Sequence, residues 1–358
     1  MKQLTNGTFC VLPFIESFQD TAGKHKLCCY SKIEIDHVKS DAVNQLREKI
    51  IAGQKIPHCT KCYQLEANQA ISPRLKESVL WLKDPEVKNY IDNWNKNTPI
   101  SVFFYDLRYD SKCNLACVSC DAWSSSLWAK ELGIPKTTTT IDVSADYTGA
   151  KKIYLAGGEP LIITEFIKLI EKIANSEHQP ELVINTNLTR INNNLQILLK
   201  QIKNLTLTVS VDAFESVNEY HRWPLKWSKF LQNLNWARSI NCTIQFNSVV
   251  DAVTILNIHK LCSIEHLADQ WNLSVLTSPP ALKLQNLPEH LKAQACENFS
   301  KIKLSKFYKT DPVFKSRVEH ILDLIKQPGD AELLCLYINQ IDKRRSIDHT
   351  TFLGVSLT

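Results

Sequence analysis

Three cysteines within eight residues are the most chemically informative feature of this sequence. The stretch from Arg108 to Asp121 reads RYDSKCNLACVSCD and places Cys113, Cys117 and Cys120 at the spacing C-x3-C-x2-C. Three thiolates can hold three irons of a [4Fe-4S] cube, whose usual complement is four cysteines. A structural zinc site would need a fourth Cys or His close by, and the next histidine, His178, is far downstream. The spacing therefore predicts a cluster with one iron open to another ligand.

A second set of four cysteines lies nearer the N-terminus. Cys10 is followed by twelve residues, Gly23, four residues and Cys28, and Cys59 and Cys62 follow later as CTKC. Gly23 lies in DTAGKH, a turn signal between two strand-like runs, so we predict a hairpin that brings Cys10 and Cys28 together. Four thiols are a full set for one metal centre. Spacing alone leaves a zinc ribbon and an iron–sulfur cluster both open.

Cys29 adjoins Cys28, and both residues cannot ligate comfortably with the other three cysteines. The spacing from Gly23 favours Cys28 as the ligand. Cys29 is then either a buried thiol or a reactive thiol near the site.

The elements that must position these cysteines alternate between strand-like and helical patterns from Ile100 onward, which predicts an α/β fold with βα units and a parallel sheet. Six apolar runs are predicted to be strands: Ser101–Arg108, Lys152–Ala156, Glu181–Asn185, Leu205–Val211, Thr243–Val249 and Leu273–Leu276. The helices between them are Ser124–Leu132, Glu165–Asn175, Asn192–Lys203, Trp227–Ser239 and Ile255–Asp269. Six strands fit a partial (β/α)6 barrel better than a closed eight-stranded one.

Short polar groups follow several of these strands, at the edge where ligands bind in such folds. They come from the turns GGEP, NTN and SVD and from a later arginine: Gly157, Gly158, Glu159, Asn185, Asn187, Ser210, Asp212 and Arg222. The two glycines would let the backbone approach a ligand, and Arg222 could bind a carboxylate through two parallel hydrogen bonds. Strand-end capping and, for Arg222, a surface salt bridge are the alternatives.

The C-x3-C-x2-C loop, with GGEP one βα unit later, resembles the radical S-adenosylmethionine (SAM) superfamily. The resemblance covers residues 1 to about 290 and implies that the open iron takes the amino and carboxylate groups of SAM. It also implies that Glu159 contacts the amino group of SAM, and that Asn185, Asn187, Ser210, Asp212 and Arg222 serve its ribose or carboxylate.

The pattern C-x12-G-x4-C with a later C-x2-C resembles the Twitch module, a shortened SPASM domain that holds one auxiliary [4Fe-4S] cluster. The better-known members carry this module after the barrel, whereas here it precedes the barrel. The two resemblances together imply SAM and two clusters, reductive cleavage of SAM to a 5′-deoxyadenosyl radical, and hydrogen abstraction from a peptide or small molecule. They further imply oxidation through the auxiliary cluster and a flavodoxin- or ferredoxin-type electron donor.

These motifs predict three parts: a Twitch-like module over residues 1–95, the partial barrel over 96–285, and a C-terminal helical extension over 286–358. The extension carries apolar residues at helical spacing in Pro288–Leu304, Pro312–Lys326 and Ala331–Asp342. It could cover the open side of the barrel or offer a surface to a partner.

Composition is that of a folded soluble protein, with 358 residues, 44% hydrophobic and 22% charged. No run approaches 18 apolar residues and the N-terminus lacks a signal-peptide pattern, so we expect a cytoplasmic protein without a membrane partner. A net charge of +5 does not indicate nucleic-acid binding. The competing hypothesis is a non-enzymatic zinc or iron–sulfur module that binds RNA or protein, and metal content would separate the two.

Overall fold

The computed structural model describes residues 7–67, 71–108, 110–135 and 147–357. By its internal contacts the chain divides into two compact units. The first unit comprises Met1–Asp110, Thr137–Gly157 and Asn175–Val183, and the second comprises Ser111–Lys136, Gly158–Ala174 and Ile184–Thr358. The domain boundaries at residues 95 and 285 stay predictions.

The strands, in chain order, are β1 Glu16–Gln19, β2 His25–Lys26, β3 Glu34–Ile35, β4 Phe104–Leu107, β5 Lys152–Leu155, β6 Glu181–Thr186, β7 Leu205–Ser210, β8 Thr243–Val250 and β9 Gln270–Val275. All six strands predicted from the apolar runs are present as β4 to β9. In the first unit β1 is antiparallel to β2 and parallel to β4, and β4 is parallel to β5. In the second unit β8 is parallel to both β7 and β9. The prediction of an α/β fold with a parallel-strand sheet is confirmed.

The α-helices of the first unit are α1 Leu12–Ile15, α2 Asp41–Ile51, α3 Thr60–Ala67, α4 Pro73–Trp81 and α5 Pro85–Asp92. The predicted hairpin is also present: Phe18 pairs with Lys26, and Gly23 has a positive φ of 76° in the turn between β1 and β2. Only glycine adopts this backbone region without strain. Apolar side chains of α1, α2 and α5 pack around Phe14 and Val11, which are fully buried.

The α-helices of the second unit are α6 Ser126–Glu131, α7 Thr164–Ala174, α8 Asn193–Gln201, α9 Ser216–His221, α10 Trp227–Arg238, α11 Glu289–Ser300, α12 Lys306–Thr310, α13 Pro312–Ile325, α14 Ala331–Arg345 and α15 His349–Leu353. Short 3-10 helices occupy Pro57–Cys59, Pro160–Ile162, Pro280–Leu282, Leu284–Asn286 and Lys301–Leu304. Among the described residues, no helix combines the length and apolarity needed to span a membrane.

The helix predicted over Ile255–Asp269 is present as a 3-10 helix over Ile258–Leu267. Its buried residues are Ile258, Leu261, Ile264 and Leu267. A repeat of three residues matches the three residues per turn of a 3-10 helix and would drift off one face of an α-helix. The apolar pattern in this segment therefore selects the tighter helix.

Candidate functional site

Residues 111–120, which we call the three-cysteine loop, are held by hydrogen bonds from many directions. Five loop carbonyls accept hydrogen bonds of 2.6–2.8 Å from other parts of the unit. The pairs are Glu159 N to Lys112, Ser125 Oγ to Leu115, Arg345 Nη2 to Ala116, Trp128 Nε1 to Cys117 and Tyr337 Oη to Val118. Buried backbone groups need such partners because an unpaired one is costly. The surrounding chain therefore fixes the conformation of the loop, which contains no helix or strand among its described residues.

Burial and mutual proximity favour the protonated thiols of Cys113 and Cys120 in the metal-free chain. Burial, followed by the charge of Cys117, raises the pKa of both Cys113 and Cys120 to about 12. A metal binds the thiolate, so cluster assembly must displace these protons. Three thiols on one ordered loop suit three irons of a cube.

The GGEP turn packs directly against the start of this loop. A Cβ on Gly158 would lie 2.2 Å from the carbonyl oxygen of Lys112, so no larger residue fits without moving backbone. Next to it, the Glu159 amide donates to the same carbonyl at 2.8 Å. Gly158 therefore allows the approach of the chain's own backbone, and the ligand approach that the sequence predicts stays a prediction.

The Glu159 carboxylate is buried and binds groups at the end of β6. It accepts hydrogen bonds from Thr186 Oγ1 and from the Asn187 amide, both at 2.6 Å. Burial raises the pKa of Glu159, and these hydrogen bonds oppose the rise. Its predicted contact with SAM stays a prediction, and the carboxylate already joins two of the predicted strand ends.

Asn187 connects β6 to the three-cysteine loop. Its Nδ2 donates to Asn114 Oδ1 at 3.2 Å, and Asn114 Nδ2 donates to Thr189 Oγ1 at 2.9 Å. Farther back, Ser210 Oγ lies 3.4 Å from Asn185 Oδ1, so the ends of β6 and β7 also meet. The NTN and SVD residues are thus neighbours, as their strand-end positions predict.

Asp212 and Arg222 form a buried ion pair beside the loop. Arg222 Nε lies 3.0 Å from Asp212 Oδ2, and Arg222 Nη1 lies 3.6 Å from Cys117 Sγ. Burial alone would raise the pKa of Asp212, but Arg222 and His221 outweigh burial and hold it below its usual range. Arg222 is therefore not a surface salt bridge.

His221 extends this network away from the loop. Its Nδ1 lies 3.2 Å from Asp212 and its Nε2 lies 2.7 Å from Asp251. Burial lowers the pKa of His221, but the two carboxylates raise it to about 10 overall, so the ring is an imidazolium at neutral pH. The His221 and Trp223 carbonyls accept hydrogen bonds from the Val118 and Ala116 amides at 2.7 and 2.6 Å. The segment after Asp212 thus supports the loop.

In the first unit, Cys10, Cys28, Cys59 and Cys62 line one cavity. They come from the segment before α1, the end of the hairpin, a 3-10 helix and α3. Burial, followed by the charges of Cys59 and Cys28, raises the pKa of the Cys10 thiol well above its usual range. We call this the four-cysteine cavity. The donor set fits a metal centre with four thiolate ligands.

Cys29 lies among charged residues that sequence reasoning missed. Burial raises the pKa of Cys29 to about 12, with Arg108 opposing and Glu16 and Asp106 adding to the rise. Arg108 binds Asp106 with two hydrogen bonds of 2.8 and 3.0 Å. Glu16 is only 2% exposed, and among the described residues its Oε2 has no hydrogen-bond partner.

Strand alternation could have revealed this charged cluster. In β4 and the residue after it, Asp106 and Arg108 fall on one face, and Asp106 is level with Phe18 of β1 and Tyr154 of β5. The sequence does not show that β4 lies next to β1, because the hairpin pattern identifies only β2 as a neighbour of β1.

In the described part of the chain, Asp342, Asp348 and His349 form the one group of three acidic, cysteine or histidine side chains with ligand atoms within 4.8 Å of one another. His349 Nε2 accepts a hydrogen bond from the Leu357 amide at 3.1 Å, so its proton is on Nδ1, which donates to Asp342 Oδ2 at 2.8 Å. Both ring nitrogens of His349 therefore bond other parts of the chain, so this group has a structural role.

A cavity of about 610 Å³ opens beside Asn114 and Leu115 of the loop. Apolar residues of α7 and α8 line its floor, and its basic lining residues are Arg190, Lys226 and Lys229. Among the described residues, no acidic side chain lines it. We call this the basic cavity.

Part of the chain that carries the three-cysteine loop matches a known protein family. Residues 111–270 match the model of the radical SAM superfamily. This part of the chain is therefore similar to the radical SAM superfamily. The match begins two residues before Cys113 and ends at Gln270, the first residue of β9. A SAM-binding [4Fe-4S] cluster is implied by this family, and the three thiols of the loop are the residues that would hold it.

Individual relatives are distant. A GTP 3′,8-cyclase from Desulforamulus reducens is 28% identical over 100 residues, which is 27% of this chain and 29% of the relative. Among solved structures, anSMEcpe with bound AdoMet gives a TM-score of 0.40 at 15% identity, covering 63% of this chain and 62% of that one. SuiB from Streptococcus suis bound to S-adenosylmethionine gives 0.43 at 13% identity, covering 74% and 60%. The chain spans less than two thirds of the length of each.

Proposed function

We propose that this protein is a radical SAM enzyme with two [4Fe-4S] clusters. Cys113, Cys117 and Cys120 hold the first, and its open iron takes the amino and carboxylate groups of SAM. When bound and reduced, this cofactor pair cleaves SAM and supplies a 5′-deoxyadenosyl radical that abstracts a hydrogen atom from a peptide or small-molecule substrate. The observation that carries the proposal is an ordered three-thiol loop inside the matched domain.

Glu159 and Arg222 are the groups that we assign to SAM. Glu159 lies one residue from the Gly158–Lys112 contact, and Arg222 Nη1 is 3.6 Å from a ligand sulfur, Cys117 Sγ. A carboxylate suits the amino group of SAM and a guanidinium suits its carboxylate, because charge-assisted hydrogen bonds are the strong ones. Asn185, Asn187, Ser210 and Asp212 complete the assigned set at the strand ends.

We assign an auxiliary cluster to the four-cysteine cavity, in a Twitch-like module that precedes the radical SAM domain. The four thiols of Cys10, Cys28, Cys59 and Cys62 line this cavity and are a full ligand set for a four-iron cube. Such a cluster would accept an electron from the substrate radical.

The experiment is a comparison of metal content and SAM cleavage in anaerobically purified protein. We expect about eight irons per chain for two four-iron clusters, and little zinc. Replacing Cys113, Cys117 and Cys120 together by Ala should remove about half of the iron and all reductive formation of 5′-deoxyadenosine. Formation of 5′-deoxyadenosine by the triple variant would overturn the assignment, and zinc without iron would favour the binding-module hypothesis.

The proposed electron donor is an acidic flavodoxin- or ferredoxin-type protein that docks at the basic cavity. Asn114, which lines this cavity, adjoins the ligand Cys113, so a donor seated there is close to the cluster. Arg190, Lys226 and Lys229, with no acidic side chain among the described lining residues, would attract an acidic partner electrostatically.

Reversing the three charges with Arg190→Glu, Lys226→Glu and Lys229→Glu should slow reduction by an acidic donor protein at least about tenfold at low salt. Reduction by dithionite should not change. A matched control reverses three lysines elsewhere on the same unit, Lys309, Lys315 and Lys326. Equal slowing in the control would place the donor elsewhere.

A further inference from the structure

Two side chains of α14 reach the three-cysteine loop from a distant part of the sequence. Arg345 Nη2 donates to the Ala116 carbonyl at 2.6 Å, and Tyr337 Oη donates to the Val118 carbonyl at 2.8 Å. These two carbonyls flank Cys117. The amides of the same two residues donate to the carbonyls of Trp223 and of His221, the last residue of α9. The backbone on both sides of this cysteine is therefore bonded through its amides and its carbonyls.

Arg345 is buried in an aromatic setting that fixes its direction. Its side chain is 2% exposed, and its guanidinium carbon lies 4.8 Å from the centre of the Trp128 ring and 6.0 Å from that of Trp223. Trp128 in turn donates from Nε1 to the Cys117 carbonyl at 2.7 Å. Glu131 lies 3.6 Å from Arg345 and partly balances its charge. Arginine, tryptophan and loop thus form one packed unit.

We propose that Arg345 is a positioning residue of the three-cysteine site: it holds the Ala116–Val118 backbone so that Cys117 points its sulfur toward iron. The inference rests on the proposed function, because it presumes a cluster on this loop. It gives the C-terminal helices a role in the cluster site itself, beyond covering a sheet or binding a partner.

Arginine suits this position for two physical reasons. Its planar guanidinium can stack on an indole ring while it donates in its own plane, which the compact ammonium of lysine cannot do. It also brings a second positive charge to Cys117, whose sulfur lies 3.6 Å from Arg222 Nη1. Cations near a thiolate ligand stabilise the more negative, reduced cluster, and outer partners of metal ligands commonly tune both affinity and potential.

The test compares Arg345→Gln and Arg345→Lys with Arg344→Gln, the adjacent exposed arginine that donates to the Glu131 carbonyl and not to the loop. The full chain is loaded with iron and sulfide. The readouts are the rate of iron release to a chelator, the midpoint potential of the cluster, and the change in its electron paramagnetic resonance spectrum when SAM is added. Circular dichroism of the metal-free chain reports folding.

We expect Arg345→Gln to weaken iron retention at this site by about 10- to 100-fold, to shift its potential to more negative values and to reduce the SAM-induced spectral change. Arg345→Lys should recover the potential in part, and Arg344→Gln should behave as the parent. If Arg345→Gln fails to fold, Arg345→Lys and Tyr337→Phe are decisive, since each removes part of the same bonding. Parent-like release, potential and spectrum would overturn the inference. A parent chain without a SAM-responsive cluster would instead refute the proposed function.

Discussion

The two cysteine sites of this chain are built in opposite ways. The three-cysteine loop is one continuous segment whose carbonyls are bonded by three other parts of its unit: the GGEP turn, α6 with its N-cap, and α14. The four-cysteine cavity draws its thiols from separate segments of the first unit, joined mainly by apolar packing around Cys10 and Cys59. A site of the first kind is ordered before metal arrives. A site of the second kind gains much of its order from the metal, as small metal domains do.

The largest expected effect separates the two sites by function. Cys59→Ala with Cys62→Ala should lower iron by about half, since one of two four-iron clusters is lost. SAM cleavage should persist, whereas substrate turnover should fail because oxidation of the substrate radical is a separate step. Iron analysis and assays of 5′-deoxyadenosine and product check this.

Cys29→Ser is the control for that double variant, because Cys29 lies near Arg108 while Cys28 lines the cavity. It should keep both clusters. If Cys29→Ser destroyed the second cluster and Cys28→Ser spared it, the choice of Cys28 would be wrong.

A single methyl group should break the preformed site. Gly158→Ala would place a Cβ 2.2 Å from the Lys112 carbonyl oxygen, so the loop must move. Overpacking of this kind costs about 1–3 kcal/mol or more, and we expect loss of iron from the three-cysteine site alone. Gly149→Ala is the control, since nothing lies within 4 Å of its added Cβ. Equal iron loss in both variants would show that the contact does not order the loop.

Substitutions at Glu159 and Thr186 test whether the residues at the strand ends bind SAM or only stabilise the loop. Glu159→Ala should weaken SAM binding by about 1.5–3 kcal/mol, the value of a charge-assisted hydrogen bond. Thr186→Val removes one hydrogen bond to this carboxylate and keeps the carboxylate itself. SAM titrations of the loaded protein should show a larger loss for Glu159→Ala. Equal losses would mean that Glu159 acts by positioning.

The smallest expected effect concerns the charged cluster of the first unit. Burial, followed by the charge of Asp106, raises the pKa of Glu16 well above 4.5. The folded state therefore holds this proton more tightly than the unfolded state. Its contribution to stability is fully present below pH 4.5 and is lost as the pH rises through the folded value.

Glu16→Gln should remove that pH dependence and stabilise the metal-free protein at pH 8 by about 1–3 kcal/mol, the usual cost of an unpartnered buried group. Urea unfolding at pH 5 and pH 8 checks this. The control is the same substitution at Glu34, an exposed carboxylate that pairs with Lys24. A Glu16→Gln variant less stable than the parent at pH 8 would mean that the carboxylate has a partner.

Local patterns predicted much of this molecule. The apolar runs identified β4 to β9. In β6 the run is nearly continuous and buried, as in a central parallel strand, whereas β8 alternates between buried and half-buried residues. Cysteine spacing and Gly23 identified both thiol sets, since a turn glycine with φ of 76° leaves a local signature.

The rest depends on contacts without such a signature. No pattern near Ala116 or Arg345 reveals that they bond, and nothing within β1 specifies its parallel neighbour β4. The glycine at position 158 indicates that another group comes close to the backbone there. The sequence does not show that this group is the Lys112 carbonyl.

The bond between Ala116 and Arg345 joins residues 229 positions apart, and the bond between Val118 and Tyr337 joins residues 219 apart. At about 5–20 residues per second, a ribosome needs roughly 10–45 s to make the chain between the loop and its last donors. During that interval the three cysteines are synthesised but their loop is incompletely bonded. We therefore expect the loop to be exposed to oxidants and to stray metal ions early in synthesis, and to become selective for its cluster only once α14 has been made and docked.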